Sequence, residues 1–268
     1  MSLAIAPCAT LAAPGHATPV KMAPMETTHA ESAEAGYRSA LALHRARMAA
    51  GWRPLGRKIG FTNRGIWPRY GVFQPIFGFV YDRTVTLSPE NRATIGLAGL
   101  AQPRIEPEVC FGLKRSPPRS KDPAEILSAI EWVAHSMEIV QCTFPNWQMK
   151  VGDSTAANGL HGALVVGRKL PVGGLPDLAG KLPAIRVNLK KGKALVDQGV
   201  GSNVLDSPLL ALAHLVELLA TLPDFPPLSA GEIVSTGTMT DAAPVAPGET
   251  WSTEFEGGEL AGMTVRFE

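Results

Sequence analysis

Three cysteines in 268 residues, Cys8, Cys110 and Cys142, are an odd number with no CxxC spacing. A disulfide framework and a thiolate zinc site are therefore not indicated, and a reducing, cytoplasmic setting is the expectation. Charge of one sign is lacking as well. With 25 basic and 24 acidic residues the formal net charge is +1, so nothing favours nucleic acid or an anionic membrane as partner. No uninterrupted apolar run reaches the roughly 18 residues of a membrane span. A phosphate-binding P-loop, a dinucleotide fingerprint and a Gly-x-Ser-x-Gly elbow are all missing from the strand–turn–helix setting they need. That weighs against kinase, dehydrogenase and serine hydrolase chemistry.

Glycine and proline are plentiful, 27 and 23 residues, which makes the chain loop-rich but not of low complexity. Residues 1–31 are rich in Ala, Pro, Thr and His. The first lysine is Lys21, and Pro7 and Pro14 break the apolar stretch. This segment reads as a poorly ordered arm and not as a signal peptide. Residues 32–268 show no repeat and no linker and read as one domain.

Within it, residues 32–50 predict an amphipathic helix with Ser32 as N-cap and Gly51 just past its end. Asp122-Pro123 opens a helix expected to run to about Trp132, and Ser207-Pro208 opens another to about Thr221. Strands are expected at 58–61, 76–81, 85–87, 104–113, 161–167, 184–189, 233–236, 251–255 and 263–267, with Lys191-Gly192-Lys193 as a hairpin turn. Strands outnumber helices, so the fold class is α+β, a mixed β-roll with flanking helices, in preference to a doubly wound sheet.

The segment Arg104-Ile105-Glu106-Pro107-Glu108-Val109 carries the chemistry. Side chains two apart on a strand share a face, so Glu106 and Glu108 point the same way among apolar neighbours. Such a pair can simply line a solvated face. In apolar surroundings, however, two carboxylates need a proton or a cation between them. A third carboxylate would complete an all-oxygen site suited to Mg²⁺ or Mn²⁺, and Glu138 in Met137-Glu138-Ile139-Val140 is the candidate. The β-branched pair after it argues for a strand, although His135 and Glu138 also have helical i, i+3 spacing. Pro107 removes a backbone donor, so an edge or bulge is expected there. Lys58 in Gly56-Arg57-Lys58-Ile59-Gly60 reads either as a surface lysine or as a proton-exchanging group beside a bound oxyanion. Asp82, following an apolar strand, reads as a turn residue. His135, His161 and His214 read as structural.

Several segments together resemble the 2-keto-4-pentenoate hydratase / 2-oxo-3-hexenedioate decarboxylase family of the fumarylacetoacetate hydrolase superfamily. They are Lys58-Ile59-Gly60-Phe61-Thr62, Gln74-Pro75-Ile76-Phe77-Gly78, Gln102-Pro103-Arg104-Ile105-Glu106-Pro107-Glu108, Glu138-Ile139-Val140, Asp153-Ser154-Thr155-Ala156-Ala157-Asn158 and Ser235-Thr236-Gly237-Thr238. The resemblance implies a single catalytic domain of the fumarylacetoacetate hydrolase C-terminal type, binding Mg²⁺ or Mn²⁺ through Glu106, Glu108 and Glu138. Lys58 and Asp82 become the candidates for proton transfer, and Asn158 and Thr238 for substrate contact. It implies a homo-oligomeric enzyme acting on a small 2-oxo acid. The reaction is a hydratase-type addition of water to a 2-hydroxy-dienoate, a 2-oxo acid decarboxylation or a carbon–carbon hydrolysis. Arg83 and Ala157 stand where many members carry acids, and His161 where small hydroxyl residues are common. These departures leave open a non-catalytic, metal-binding subunit that partners a related enzyme.

Overall fold

In the computed structural model, residue 30 and residues 32–268 are described; the arm expected over 1–31, Ala30 excepted, lies outside the described residues, as does Cys8. In chain order the helices are α1 (Ala33–Ala49), α2 (Trp67–Tyr70), α3 (Pro123–Leu127), α4 (Val151–Ala156), α5 (Leu178–Lys181) and α6 (Pro208–Ala220). The first strands are β1 (Pro54–Gly60), β2 (Ile76–Tyr81), β3 (Val85–Leu87), β4 (Arg92–Ile95), β5 (Arg104–Leu113), β6 (Ile130–Val140) and β7 (His161–Val166). They continue as β8 (Leu170–Pro171), β9 (Arg186–Lys191), β10 (Ala194–Val200), β11 (Ile233–Thr238), β12 (Ala243–Pro244), β13 (Thr250–Glu256) and β14 (Thr264–Phe267).

Nine strands form a curled mixed sheet in the order β2-β1-β11-β5-β6-β7-β3, with β12 against β5 and β8 against β6. A second sheet runs β10-β9-β13-β14-β4. This is the mixed α+β roll expected from the strand count. Alternation along β5 and β6 explains how the layers are held. Ile105, Met137 and Ile139 pack against Leu189, Trp251 and Phe267 of the second sheet, while Val109, Phe111 and Val133 pack under Leu209, Leu212 and Leu215 of α6. The segment Gly201–Ala220 is apolar enough to span a membrane by composition, but Leu205, Leu209, Leu212, Leu215, Leu218 and Leu219 are core.

On the opposite face of the curled sheet Val80, Cys110, Ala134, Leu164, Val166 and Ile233 meet in one apolar cluster. Two residues further along the same face come the acidic side chains. A buried leucine such as Leu164 contributes roughly 1.5–3 kcal/mol, so this plug helps hold the curl shut around the polar end.

Two local expectations are corrected, and of the edge or bulge expected at Pro107 the structure has the bulge. The helix opened by Asp122, whose carboxylate accepts from Ala124 N at 2.9 Å, ends at Leu127 and not near Trp132, because β6 begins at Ile130 and pairs with β5 from Leu113 to Arg104. Those ladder bonds override the local helix preference. Pro107 lies in a central strand, not at an edge. Its carbonyl accepts from Met239 N, so its missing N–H faces β11, and there β11 shifts register between Ser235 and Thr238. The bulge removes the need for the donor. The strand expected over 184–189 occupies Arg186–Lys191.

Candidate metal centre and active site

The β5–β6 register sets Glu106 directly opposite Glu138, and Glu108 shares their face. Like charges facing one another across a ladder are destabilising. One oxygen from each of the three carboxylates lies within 4.8 Å of the others. Glu108 and Glu138 are fully buried, and Glu106 borders a cavity of about 200 Å³. Glu138 is on a strand, as its β-branched neighbours indicated.

Glu108 is tied by one oxygen and open at the other, whereas Glu138 is held by His161 at one oxygen and by Lys58 at the other. Glu108 Oε2 accepts from Ser235 Oγ at 2.5 Å and from the Gly237 amide at 3.0 Å, and Ser136 Oγ lies 2.9 Å from Ser235 Oγ. Glu138 Oε1 accepts from His161 Nδ1 at 2.8 Å. Glu108 Oε1 and Glu138 Oε2 accept no hydrogen bond among the described residues, though Lys58 Nζ approaches Glu138 Oε2 at 2.9 Å as an ion pair. Gly237 is required for this geometry. Its φ is +100°, and a Cβ would fall 2.0 Å from Thr62 Oγ1.

Charge follows from the packing. Burial pushes Glu106 up to about 7; Lys58 pulls it down and Glu138 pushes it further up. Burial, then Glu138 and Glu106, hold Glu108 well above the ordinary carboxylate range. Burial would raise Glu138 too, but the Lys58 ammonium and His161 outweigh it and keep this carboxyl low. Burial pushes Lys58 down, yet the three glutamates outweigh it and the net direction is up. Both raised carboxyls hold protons more readily than a free glutamate; with all three ionised against one ammonium, two negative charges would remain, which one divalent cation would cancel. The buried Glu108 Oε1 left open and a hard all-oxygen donor set fit such an ion.

Lys58 reaches this cluster from β1, where it pairs with Gly78 and Ser235. Its Nζ donates to the Gly159 carbonyl at 3.0 Å. Thr238 borders the cavity, its hydroxyl donating to the Thr240 carbonyl at 2.9 Å. Phe61, Tyr70, Trp147 and Met149 supply an apolar wall, and the Arg104 guanidinium, 4.3 Å from the Trp147 ring centroid, also borders the space.

Two candidates are not brought to the cavity. Asp82 follows the far end of β2, where Tyr81 pairs with Pro54. That is four residues beyond Gly78, about 13 Å along a strand. Its carboxylate is engaged by Arg53 N and Nε, each at 3.0 Å. Asn158 is buried, with its amide spent on β2: Oδ1 accepts from Phe79 N at 2.8 Å and Nδ2 donates to Phe79 O at 2.9 Å. It caps the outer edge of β2, and a Cβ on Gly78 would fall 2.0 Å from its carbonyl. His135 is structural as expected, joining Glu108 O to Thr253 Oγ1. His161, read as structural from sequence, is instead a direct partner of Glu138. The one signal for it in the chain was its departure from the small hydroxyl residues common at that place in the family.

Residues 72–266 match the family model described as fumarylacetoacetate (FAA) hydrolase C-terminal. The chain is 33% identical over 242 residues to a 2-hydroxyhexa-2,4-dienoate hydratase of Comamonas testosteroni, covering 88% of each. It is 32% identical over 214 residues to 2-keto-4-pentenoate hydratase 1 of Dechloromonas aromatica (strain RCB), covering 80% of this chain and 78% of that relative. Among solved structures, 4-oxalocrotonate decarboxylase from Pseudomonas putida G7, complexed with magnesium and adipate, aligns with a TM-score of 0.79 at 25% identity over 88% of this chain and 86% of that one. The acidic cluster, the curled sheet that builds it and these likenesses converge: this chain belongs to the fumarylacetoacetate hydrolase C-terminal family.

Proposed function

We propose that this chain is a divalent-metal-dependent hydro-lyase that adds water to a small 2-hydroxy-dienoate, the enol form of a 2-oxo-enoate, in the breakdown of aromatic compounds. The observation that carries the reading is the convergence of Glu106, Glu108 and Glu138 at the cavity, with one buried oxygen, Glu108 Oε1, left open. The two hydratase relatives support it. Mg²⁺ or Mn²⁺ suits the compact oxygen set. Held by these three carboxylates, such an ion supplies Lewis acidity to the carboxylate and 2-oxo oxygens of a substrate. A homo-oligomer in the cytoplasm is the setting the family resemblance implies.

The side chains divide the remaining work. Lys58 holds a proton at Nζ where the acidic cluster meets the cavity, fixed by Gly159 O and Glu138. That makes it the group to move a proton between the enol oxygen and carbon, before water adds across the remaining conjugated double bond. Thr238 would reach the substrate carboxylate only by turning its hydroxyl from Thr240 O, and the wall of Phe61, Tyr70 and Trp147 excludes bulk water and takes a hydrocarbon tail. Asp82 has no part in this scheme, and Asn158 acts by fixing β2.

A second reading, decarboxylation of a 2-oxo dicarboxylic acid, is favoured by one observation. Arg104 brings a guanidinium to the cavity, where it could pair with a second carboxylate. Incubating the Mg²⁺- or Mn²⁺-loaded protein with 2-hydroxypenta-2,4-dienoate should remove the dienol absorbance, and Glu106→Gln should abolish that loss. Release of CO₂ from 2-oxo-3-hexenedioate without turnover of the dienol would replace the first reading by the second.

A further inference from the structure

The imidazole of His161 is buried between two partners that account for both of its nitrogens. Nδ1 lies 2.8 Å from Glu138 Oε1 and Nε2 lies 2.8 Å from Thr84 Oγ1. An ionised carboxylate only accepts hydrogen bonds, so Nδ1 carries the proton on that side. The Thr84 hydroxyl accepts from Tyr81 N at 3.1 Å, and its own proton has Nε2 at 2.8 Å as the nearer acceptor, the Tyr81 carbonyl being 3.2 Å away. A chain Tyr81–Thr84–His161–Glu138 thus runs from the β2–β3 turn to the acidic cluster with the ring fixed at both ends.

Glu108 shows the same arrangement from the opposite side. There Ser235 and the Gly237 amide occupy Oε2 and leave Oε1 open. At Glu138, His161 occupies Oε1, and Oε2 faces the cluster with Lys58 Nζ 2.9 Å away. A carboxylate anchored by one oxygen cannot rotate to offer both, and its remaining lone pairs are aimed before any ion arrives.

We infer that His161 is a positioning residue that holds Glu138 as a one-oxygen metal ligand, with Thr84 fixing the orientation of its ring. This rests on the metal-site reading above. Removal of the ring would leave Oε1 without a donor in a buried place, so that Glu138, then held by Lys58 alone, could turn and present both oxygens to the ion.

The test is titration of the metal-free full-length protein with Mn²⁺, by calorimetry and by the electron paramagnetic resonance signal of free Mn²⁺, with the metal-free melting temperature measured alongside. His161→Leu should weaken Mn²⁺ binding by about 10–100-fold. His161→Asn, whose amide nitrogen can take the place of Nδ1, should bind within about threefold of the parent. Affinity in His161→Leu within threefold of the parent would overturn the inference, as would equal losses in the Leu and Asn variants, which would point to ring packing alone. Should His161→Leu not fold, Thr84→Val decides. A loss of about three- to tenfold supports the role, and unchanged affinity refutes it. A parent protein that binds no Mn²⁺ at all would instead sink the metal-site reading itself.

Discussion

The two ends of the curled sheet's inner face are made by the same strands and obey opposite rules. At one end Cys110 and Ala134 are register partners within an apolar plug. Four residues along, Glu106 and Glu138 are register partners within an acidic cluster. The first pairing stabilises the roll by burying apolar surface. The second forces like charges together in a place that costs stability. It is tolerated because nine continuous β5–β6 register pairs, Arg104 to Gly112, hold it in place. The plug maintains the fold, and the acidic end spends part of that stability on a preset cation site.

The largest effect that separates the two ends is expected for Glu106→Gln. Divalent-ion affinity and turnover should fall by more than about 100-fold, beyond the loss of an outer hydrogen-bond partner. The metal-free melting temperature should rise or hold, since one of three repelling carboxylates is gone; calorimetry with and without Mn²⁺ checks both. Ile233→Ala in the plug should do the reverse, costing about 2–5 kcal/mol in urea unfolding while leaving the metal affinity of the folded protein unchanged. Gly237→Ala tests the bulge that serves the acidic end. A side chain at φ +100° against Thr62 should cost about 1–3 kcal/mol and weaken Mn²⁺ binding by roughly tenfold as the amide leaves Glu108. The smallest effect belongs to Asp82→Asn. Loss of its ion pair with exposed Arg53 should change stability by less than about 1 kcal/mol and leave kcat/KM within about twofold. A large fall in activity there would restore Asp82 to the chemistry.

Much of this was legible in the chain. Alternation along 104–113 put Glu106 and Glu108 on one face, and the strand bounds match residue for residue. The Ser32 cap, which accepts from Ala35 N, and the start of α6 at Ser207-Pro208 were local signals that tertiary packing did not disturb. The helix after Asp122 was misjudged in length because propensity carries no record of the ladder waiting at Ile130. Asp82 was misplaced for a related reason: nearness in sequence to an apolar strand does not say which end of that strand faces the cavity. Asn158 looked like a ligand-facing amide, but its two polar atoms are consumed by the free edge of β2, a partner 79 residues away.

Residue order alone therefore determined which side chains alternate, where helices begin, and that two glutamates share a face; these depend on backbone geometry within a few residues. Convergence was decided only by the folded whole. That Glu138 faces Glu106, that Lys58 and His161 close on Glu138, and that a glycine amide from β11 reaches Glu108 all require strands far apart in sequence to be set in one register. Hydrogen-bond ladders between distant segments fix that register, and short-range preference has no means of encoding it.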